Sequence, residues 1–367
     1  MAVRLKDQAS GSGAPKRILV MAGGTGGHVF PAIAIADALK ARGHEILWLG
    51  SRGRMEEKLV PRHGYPIAYI KVHGVRRNGL KTKLLAPFMI ARALFEALKL
   101  VRSFKPDLAL GMGGYASGPG GLAAFLCRVP VVLHEQNAAA GLTNRLLFRI
   151  ARRTLLGFPG AFEGRSVTVV GNPVRAEIAS LHERPKAPHE GPLRVLVVGG
   201  SLGAQALNRL VPEAIRLIPE GEVEVTHQCG AGNSAEVSKA YEGVRSAHEV
   251  SDFIDDMARA YSEHDLLIAR AGAGTVSEAA CAGIPAIFVP LPSAVDDHQT
   301  KNARFLEEKG GAFICPQASL TPEALAERIG SLAQDRARLE RMREASLSCA
   351  ITDSAQRCAR IIEEAAR

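Results

Sequence analysis

The chain has 367 residues, 47% of them hydrophobic and 23% charged, with a formal net charge of +9. That length is long for one domain and comfortable for two, and the balance is that of a folded globular protein. Aromatic residues make up only 5%, which argues against a nucleic-acid stacking surface or an aromatic membrane belt, so no nucleic-acid partner is expected; the basic balance suits an anionic partner without choosing one.

The six cysteines form no Cys-x-x-Cys pair and no zinc-spaced Cys/His cluster, so they read as buried or idle thiols in a reducing compartment, with no metal site. Residues 1–15 are polar and Gly/Ser-rich, which predicts a disordered tail rather than a secretion signal. No run of about 18 apolar residues occurs, so no membrane span is predicted.

In chain order, the apolar run Arg17-Ile18-Leu19-Val20-Met21-Ala22 meets Gly23-Gly24-Thr25-Gly26-Gly27-His28-Val29-Phe30-Pro31, then a helix-forming stretch that stops at Gly43. Strand, glycine turn, helix is the order that brings backbone N–H groups and a helix dipole up to an anion. Pro31 suits a first helical turn. Strands are predicted at 44–50 and 66–70, with a helix at 54–63 between them. A basic, apolar stretch follows at 75–90, where Leu80, Leu84, Leu85 and Phe88 sit beside Arg76, Arg77, Lys81 and Lys83. It reads equally as a ridge resting on an anionic bilayer or as a helix packed on its own sheet. A helix is predicted over 91–104, with Leu94, Leu98 and Val101 in the core.

The strand Asp107-Leu108-Ala109-Leu110 opens into a second glycine turn, Gly111-Met112-Gly113-Gly114-Tyr115-Ala116-Ser117-Gly118-Pro119. Pro130-Val131-Val132-Leu133 ends in His134-Glu135-Gln136-Asn137, four polar residues at the carboxyl end of a strand, where α/β proteins place their chemistry. The alternative is that they only cap a helix at 141–151. A strand at 167–170 leads into Gly171-Asn172-Pro173-Val174-Arg175, read as the crossover between domains. Arg194-Val195-Leu196-Val197-Val198-Gly199-Gly200-Ser201-Leu202-Gly203-Ala204 then repeats the pattern of 17–27, which predicts a second, similar domain. Strands follow at 222–227 and near Glu249-Val250, and helices around 235–241 and from Phe253. The strand 265–270 feeds a fourth glycine turn, Ala271-Gly272-Ala273-Gly274-Thr275-Val276-Ser277-Glu278. After the strand 285–290 comes Asp296-Asp297-His298-Gln299-Thr300-Lys301-Asn302-Ala303, and three helices end the chain.

The glycine spacing around Gly24 does not fit a dinucleotide fingerprint, since strand two ends at Gly50-Ser51 with no carboxylate until Glu56. Neither a P-loop nor a Gly-x-Ser-x-Gly elbow occurs. Thr275-Val276-Ser277-Glu278 reads two ways: as a capping box, or as a carboxylate placed to accept from a ribose diol. His28 lies between a glycine loop and a helix start, where the dipole favours the neutral form that a general base needs.

Together these motifs resemble the MurG family of bacterial peptidoglycan synthesis, from residue 16 to the final helices. The resemblance implies a GT-B α/β fold, two Rossmann-like domains with parallel sheets facing a cleft. It divides the chain into the tail 1–15, an acceptor-binding and membrane-docking domain 16–173, a UDP-GlcNAc-binding domain 174–350, and a helix 351–367 packing back on the first. It implies inverting transfer of N-acetylglucosamine from UDP-GlcNAc to the 4-hydroxyl of the muramoyl sugar of lipid I, giving lipid II, without metal or other cofactor. By the same resemblance Ser201 and Arg175 hold the donor diphosphate and Ile254 meets the uracil. Ala273, Gly274, Thr275, Val276 and Ser277 wrap phosphate and ribose, and Glu278 takes the diol. Gln299 contacts sugar hydroxyls, and Thr25, Gly26, Gly27 and Asn137 line the sugar from the first domain. His28 is the expected general base, with Glu135 second. Leu80, Lys81, Lys83, Leu84, Leu85 and Phe88 become a docking patch for an anionic membrane, at the cytoplasmic face of the bacterial inner membrane. The rival readings are another nucleotide-sugar transferase, a UDP-GlcNAc epimerase, and a non-catalytic nucleotide-sugar sensor.

Overall fold

The computed structural model describes residues 14–72, 80–184, 190–200 and 203–366, leaving the side chains of 80–86 outside the description. Ser201 and nearly all of the predicted tail therefore lie outside the described residues.

The first half alternates β1 (Arg17–Met21), α1 (Gly26–Lys40), β2 (Glu45–Gly50), α2 (Met55–Arg62), β3 (Ile67–Tyr69), α3 (Leu80–Phe104), β4 (Leu108–Gly111), α4 (Ser117–Leu126), β5 (Val131–Glu135), α5 (Leu142–Leu147), β6 (Arg153–Leu156) and β7 (Val167–Val169). Its seven strands are parallel in the order β3-β2-β1-β4-β5-β6-β7. The second half runs α6 (Ala176–Ala179), β8 (Leu193–Val198), α7 (Gln205–Arg216), β9 (Val223–Gln228), α8 (Ser234–Ala240), β10 (His248–Ser251), α9 (Met257–Glu263), β11 (Leu266–Ala269), α10 (Ala273–Ala282), β12 (Ala286–Phe288), α11 (His298–Glu307), β13 (Ala312–Ile314), α12 (Pro322–Gln334), α13 (Arg336–Ser348) and α14 (Ser354–Ala365). Its six strands are parallel in the order β10-β9-β8-β11-β12-β13. The central strands read as unbroken aliphatic runs because helices cover both faces of each sheet; all four residues of β4 and of β11 are buried.

Each sheet changes direction between its first and fourth strands, β1 and β4 in one, β8 and β11 in the other. Helices that leave adjacent strands in opposite directions open a crevice at the strand ends, the position where such sheets bind ligands. All four glycine turns lie at these two crevices.

The structure differs from the predicted elements in several places. The strands β6 and β13, of four and three residues, carry too little apolar sequence to announce themselves. α3 is one helix through Pro87, absorbing most of the basic stretch. α1 starts at Gly26, so Pro31 lies inside it and gives no N–H to the Gly27 carbonyl. Residues 253–256 precede α9 rather than belonging to it.

The chain passes from one sheet to the other around Gly171–Arg175 and returns after α13. α14 lies on α1, with Cys358, Ala359, Ile362 and Ala365 buried in the same cluster as Ile18, Val20 and Leu39. Burying Ile362 alone contributes about 2 kcal/mol. Glu363 adds contacts to Arg42 (3.0 Å) and His44 (2.9 Å). The two crossings touch: Ser354 Oγ donates to the Gly171 carbonyl (2.8 Å), and Ile351 fills the space beside Gly171 that a Cβ would need.

Candidate active site

In the first domain the turns after β1 and β4 lie against each other. Gly114, at φ +84°, presses on the Gly23 carbonyl, where a Cβ would collide. Gly113, at φ +95°, lies against the His28 ring, and a Cβ there would stand 2.8 Å from Cδ2 and Nε2. His28 is the third residue of α1. Thr25, the N-cap, spends its hydroxyl on His28 Nδ1 (3.3 Å) and caps no backbone N–H. Thr25 and Gly27 are exposed, and Gly26 is half-buried. Burial pulls the His28 pKa below the ordinary histidine value, Glu135 and Glu56 push it upward, and His298 pushes it down again. The ring is therefore neutral at pH 7, and in the tautomer whose Nδ1–H donates to Thr25, Nε2 keeps the lone pair of a base.

Glu135 ends β5 and is buried. Its carboxylate accepts from Asn137 N (3.1 Å), Asn137 Nδ2 (3.3 Å), Gly141 N (3.0 Å) and Asn144 Nδ2 (2.9 Å). A carboxylate so saturated shapes the 135–144 loop, and of the two expected bases the geometry favours His28. Asn137 is also engaged at both ends, since its Oδ1 accepts from Asn302 Nδ2 (3.2 Å).

Asn302, on α11 of the second domain, is fully buried. Its Oδ1 accepts from Ala138 N (2.8 Å), and its Nδ2 also donates to the Ala271 carbonyl (3.1 Å). Asn172, in the first crossing, donates to the Gln136 carbonyl (3.0 Å) and to Ser277 Oγ (3.1 Å). Arg145 pairs with Asp296 across the same gap. The loop that Glu135 shapes is thus gripped from the opposite side of the cleft.

In the second domain α7 and α10 begin over the adjacent strands β8 and β11. α10 starts on Gly272 with no side-chain cap, so the N–H groups of Ala273, Gly274 and Thr275 have no partner within the helix. A Cβ on Gly274 would meet nothing within 4 Å, which leaves room for a ligand to approach. The capping-box reading of Glu278 fails, because Thr275 lies inside α10 and is not its N-cap. Glu278 instead accepts from Tyr261 OH (3.0 Å) and faces Arg175 at 3.5 Å. Burial raises its pKa, while Arg175 and Tyr261 pull it down. Ile254 is half-buried in the loop before α9, and Gln299 Oε1 accepts from Leu291 N (2.9 Å), which leaves its amide NH2 as donor. Among the described residues no three His, Cys, Asp or Glu converge as a metal site requires.

Residues 18–156 match the glycosyltransferase family 28 N-terminal domain, and residues 194–359 match its C-terminal domain. The chain is 54% identical, over 94% of its length and 95% of the relative's, to the UDP-N-acetylglucosamine--N-acetylmuramyl-(pentapeptide) pyrophosphoryl-undecaprenol N-acetylglucosamine transferase of Aeromonas hydrophila subsp. hydrophila. The crystal structure of Acinetobacter baumannii MurG superposes with a TM-score of 0.83 at 40% identity, covering 95% of this chain and all of that one. This chain belongs to the MurG family, within glycosyltransferase family 28. Its fold is GT-B. A UDP-N-acetylglucosamine 2-epimerase structure also superposes (TM-score 0.64, 94% of this chain and 95% of that one), but at 16% identity it shares the fold alone.

Four residues of this MurG-family site have contacts that local spacing does not show: Glu56 and Tyr261, which stand in no motif, and Asn172 and Asn302, whose motifs do not reveal their partners. Each acts on a partner between 17 and 165 positions away, such as Glu278 for Tyr261 and Asn137 for Asn302. The ridge predicted to meet membrane is described at Phe88, which is 77% exposed; Leu80, Lys81, Lys83, Leu84 and Leu85 lie outside the described side chains. α4 packs beside α3 and exposes Leu122, Phe125 and Leu126. No helix among the described residues is long and apolar enough to cross a membrane.

Proposed function

We propose that this chain transfers N-acetylglucosamine from UDP-GlcNAc to the 4-hydroxyl of the N-acetylmuramoyl sugar of lipid I, with inversion, giving lipid II and UDP for peptidoglycan synthesis. The observation that carries the reading is the pairing across the cleft. A neutral His28 stands on one side; on the other, two helix starts lie side by side with Glu278 held by Tyr261 and Arg175. In this reading residues 174–350 bind the donor, while 16–173 with the returning helix 351–367 bind acceptor and membrane.

The chemistry follows from these groups. Breaking the glycosidic bond builds an oxocarbenium-like sugar and puts charge on the leaving diphosphate. The N–H groups at the start of α10, the turn containing Ser201, and Arg175 stabilise that charge. Glu278 accepts from the ribose diol, the Ile254 backbone meets the uracil, and the Gln299 amide donates to the sugar. Gly26 and Gly27 let the acceptor approach closely, and Asn137 holds its loop in place. The hydroxyl attacks from the first domain and His28 Nε2 takes its proton. Exposed Phe88 of α3 and Leu122, Phe125 and Leu126 of α4, together with the basic residues of the 75–90 sequence, meet the anionic cytoplasmic face of the inner membrane, where the lipid acceptor resides.

The test is UDP release from UDP-GlcNAc with and without a lipid I analogue in detergent, with EDTA present. Acceptor-dependent release supports the transferase. Release without acceptor would replace it with an epimerase or hydrolase.

A further inference from the structure

The first glycine turn has the form of an anion site, and its anion is the protein's own. Glu56, on α2, is fully buried. Its Oε2 accepts from Gly24 N (3.0 Å), and its Oε1 accepts from Ser51 N (3.1 Å) and Ser51 Oγ (2.8 Å). Two glycines make room for it: a Cβ on Gly50 would stand 2.9 Å from Glu56 Cγ, and one on Gly23 would collide with the carboxylate. The second domain solves the same problem without charge. There Gly200 N donates to Gln228 Oε1 (3.0 Å), and Gln228 Nε2 donates back to the Gly200 carbonyl (3.1 Å). Two copies of one turn thus differ by a full negative charge directly beneath the backbone.

We propose that Glu56 is a positioning residue for the transfer: its buried carboxylate holds the Gly23–Gly27 backbone that carries His28, and its charge keeps the diphosphates of both substrates off that turn. The donor diphosphate is left with the neutral turn above Gln228. The acceptor diphosphate is left with the turn at Gly113 and Gly114, where α4 begins. A buried charge acts over several ångströms with little screening, so it outweighs the partial charge of a helix start. The same charge reaches His28, which Glu135 faces from β5, Glu56 from α2 and His298 from α11. Removing Glu56 leaves a less basic imidazole.

The naming of the substrates rests on the transferase reading, whereas the charge assignment does not, so both measurements are made by NMR without turnover. In the wild-type protein, inorganic pyrophosphate is titrated while the Gly24 and Gly200 amide resonances are followed. Gly200 shifts and Gly24 does not; a saturating shift at Gly24 overturns the proposal. In Glu56→Gln, the His28 ring titrates at a lower pH than in wild type, with UDP affinity unchanged within about twofold as proof of fold. An unmoved His28 midpoint with UDP affinity retained overturns it as well. Should Glu56→Gln fail to fold, the wild-type titration decides. In turnover assays the acid limb of kcat moves to lower pH in Glu56→Gln, which a merely structural defect would not produce.

Discussion

Replacing Asn302 with Ala tests whether the cleft closes on the contacts described. The buried side chain makes three hydrogen bonds: from Ala138 N (2.8 Å), to Asn137 Oδ1 (3.2 Å) and to the Ala271 carbonyl (3.1 Å). Truncation leaves an N–H and two oxygens facing a void. Each buried, unpaired group costs about 1–3 kcal/mol, so the closed arrangement loses on the order of 3 kcal/mol. Opening the cleft lets water reach the two partners on the first domain, Ala138 N and Asn137 Oδ1, so most of the cost falls on closure, and only the bond to Ala271 belongs to the folding of the second domain. The expected result is a drop in kcat/KM of roughly 100-fold with a Tm shift below about 2 °C. UDP release with both substrates measures the first, and calorimetry the second. A kcat/KM within about threefold of wild type would refute the argument. So would a large fall in Tm with activity intact, since the bonds would then be holding the fold.

His28→Ala lowers kcat by about 10²–10⁴-fold, the usual worth of a general base, and leaves UDP affinity by titration calorimetry unchanged; a lost UDP affinity would place His28 in the donor site. Tyr261→Phe removes the hydroxyl that orients Glu278 and raises the donor KM by roughly tenfold with kcat little changed; an unaltered KM would show Glu278 positioned without it. The buried imidazoles of His134 and His227 both have pKa values lowered to about 4 by burial. The unfolded chain, with ordinary histidines near 6.5, binds more protons between those values, so stability is complete above pH 6.5 and is lost as pH falls toward 4. Urea unfolding at pH 5 should give a stability lower than at pH 7 by about 2 kcal/mol for each of the two, and His227→Gln should remove about half of that slope; a slope unchanged in His227→Gln would refute the assignment.

Each half of the fold was legible because parallel strands covered on both faces must be aliphatic runs and their turns must be glycine. Gly113 and Gly114 stand out in the sequence for the reason the structure supplies, positive φ and neighbours where Cβ would be. β6 and β13 escaped because their three or four residues, RTLL and AFI, lack the β-branched run that marks the equally short β7, VTV. Motifs marked each wall of the site but not how the walls meet. Glu135 reads as chemistry in His134-Glu135-Gln136-Asn137, yet its carboxylate accepts from four donors, and two of them, Gly141 and Asn144, lie beyond the motif. Glu56 was visible only as a carboxylate too late for a ribose. Its partner Gly24 is 32 residues earlier, and nothing in local spacing links them.

The contact between the two chain crossings has a mechanical consequence. With Ile351 seated on Gly171 and Ser354 bonded to the Gly171 carbonyl, the two connections between the lobes meet at one place. Any relative turning of the lobes has that place as its pivot, so the cleft changes least beside Gly171 and most at its far end. Binding energy that one substrate spends on closing the lobes about this pivot is then already spent for the other.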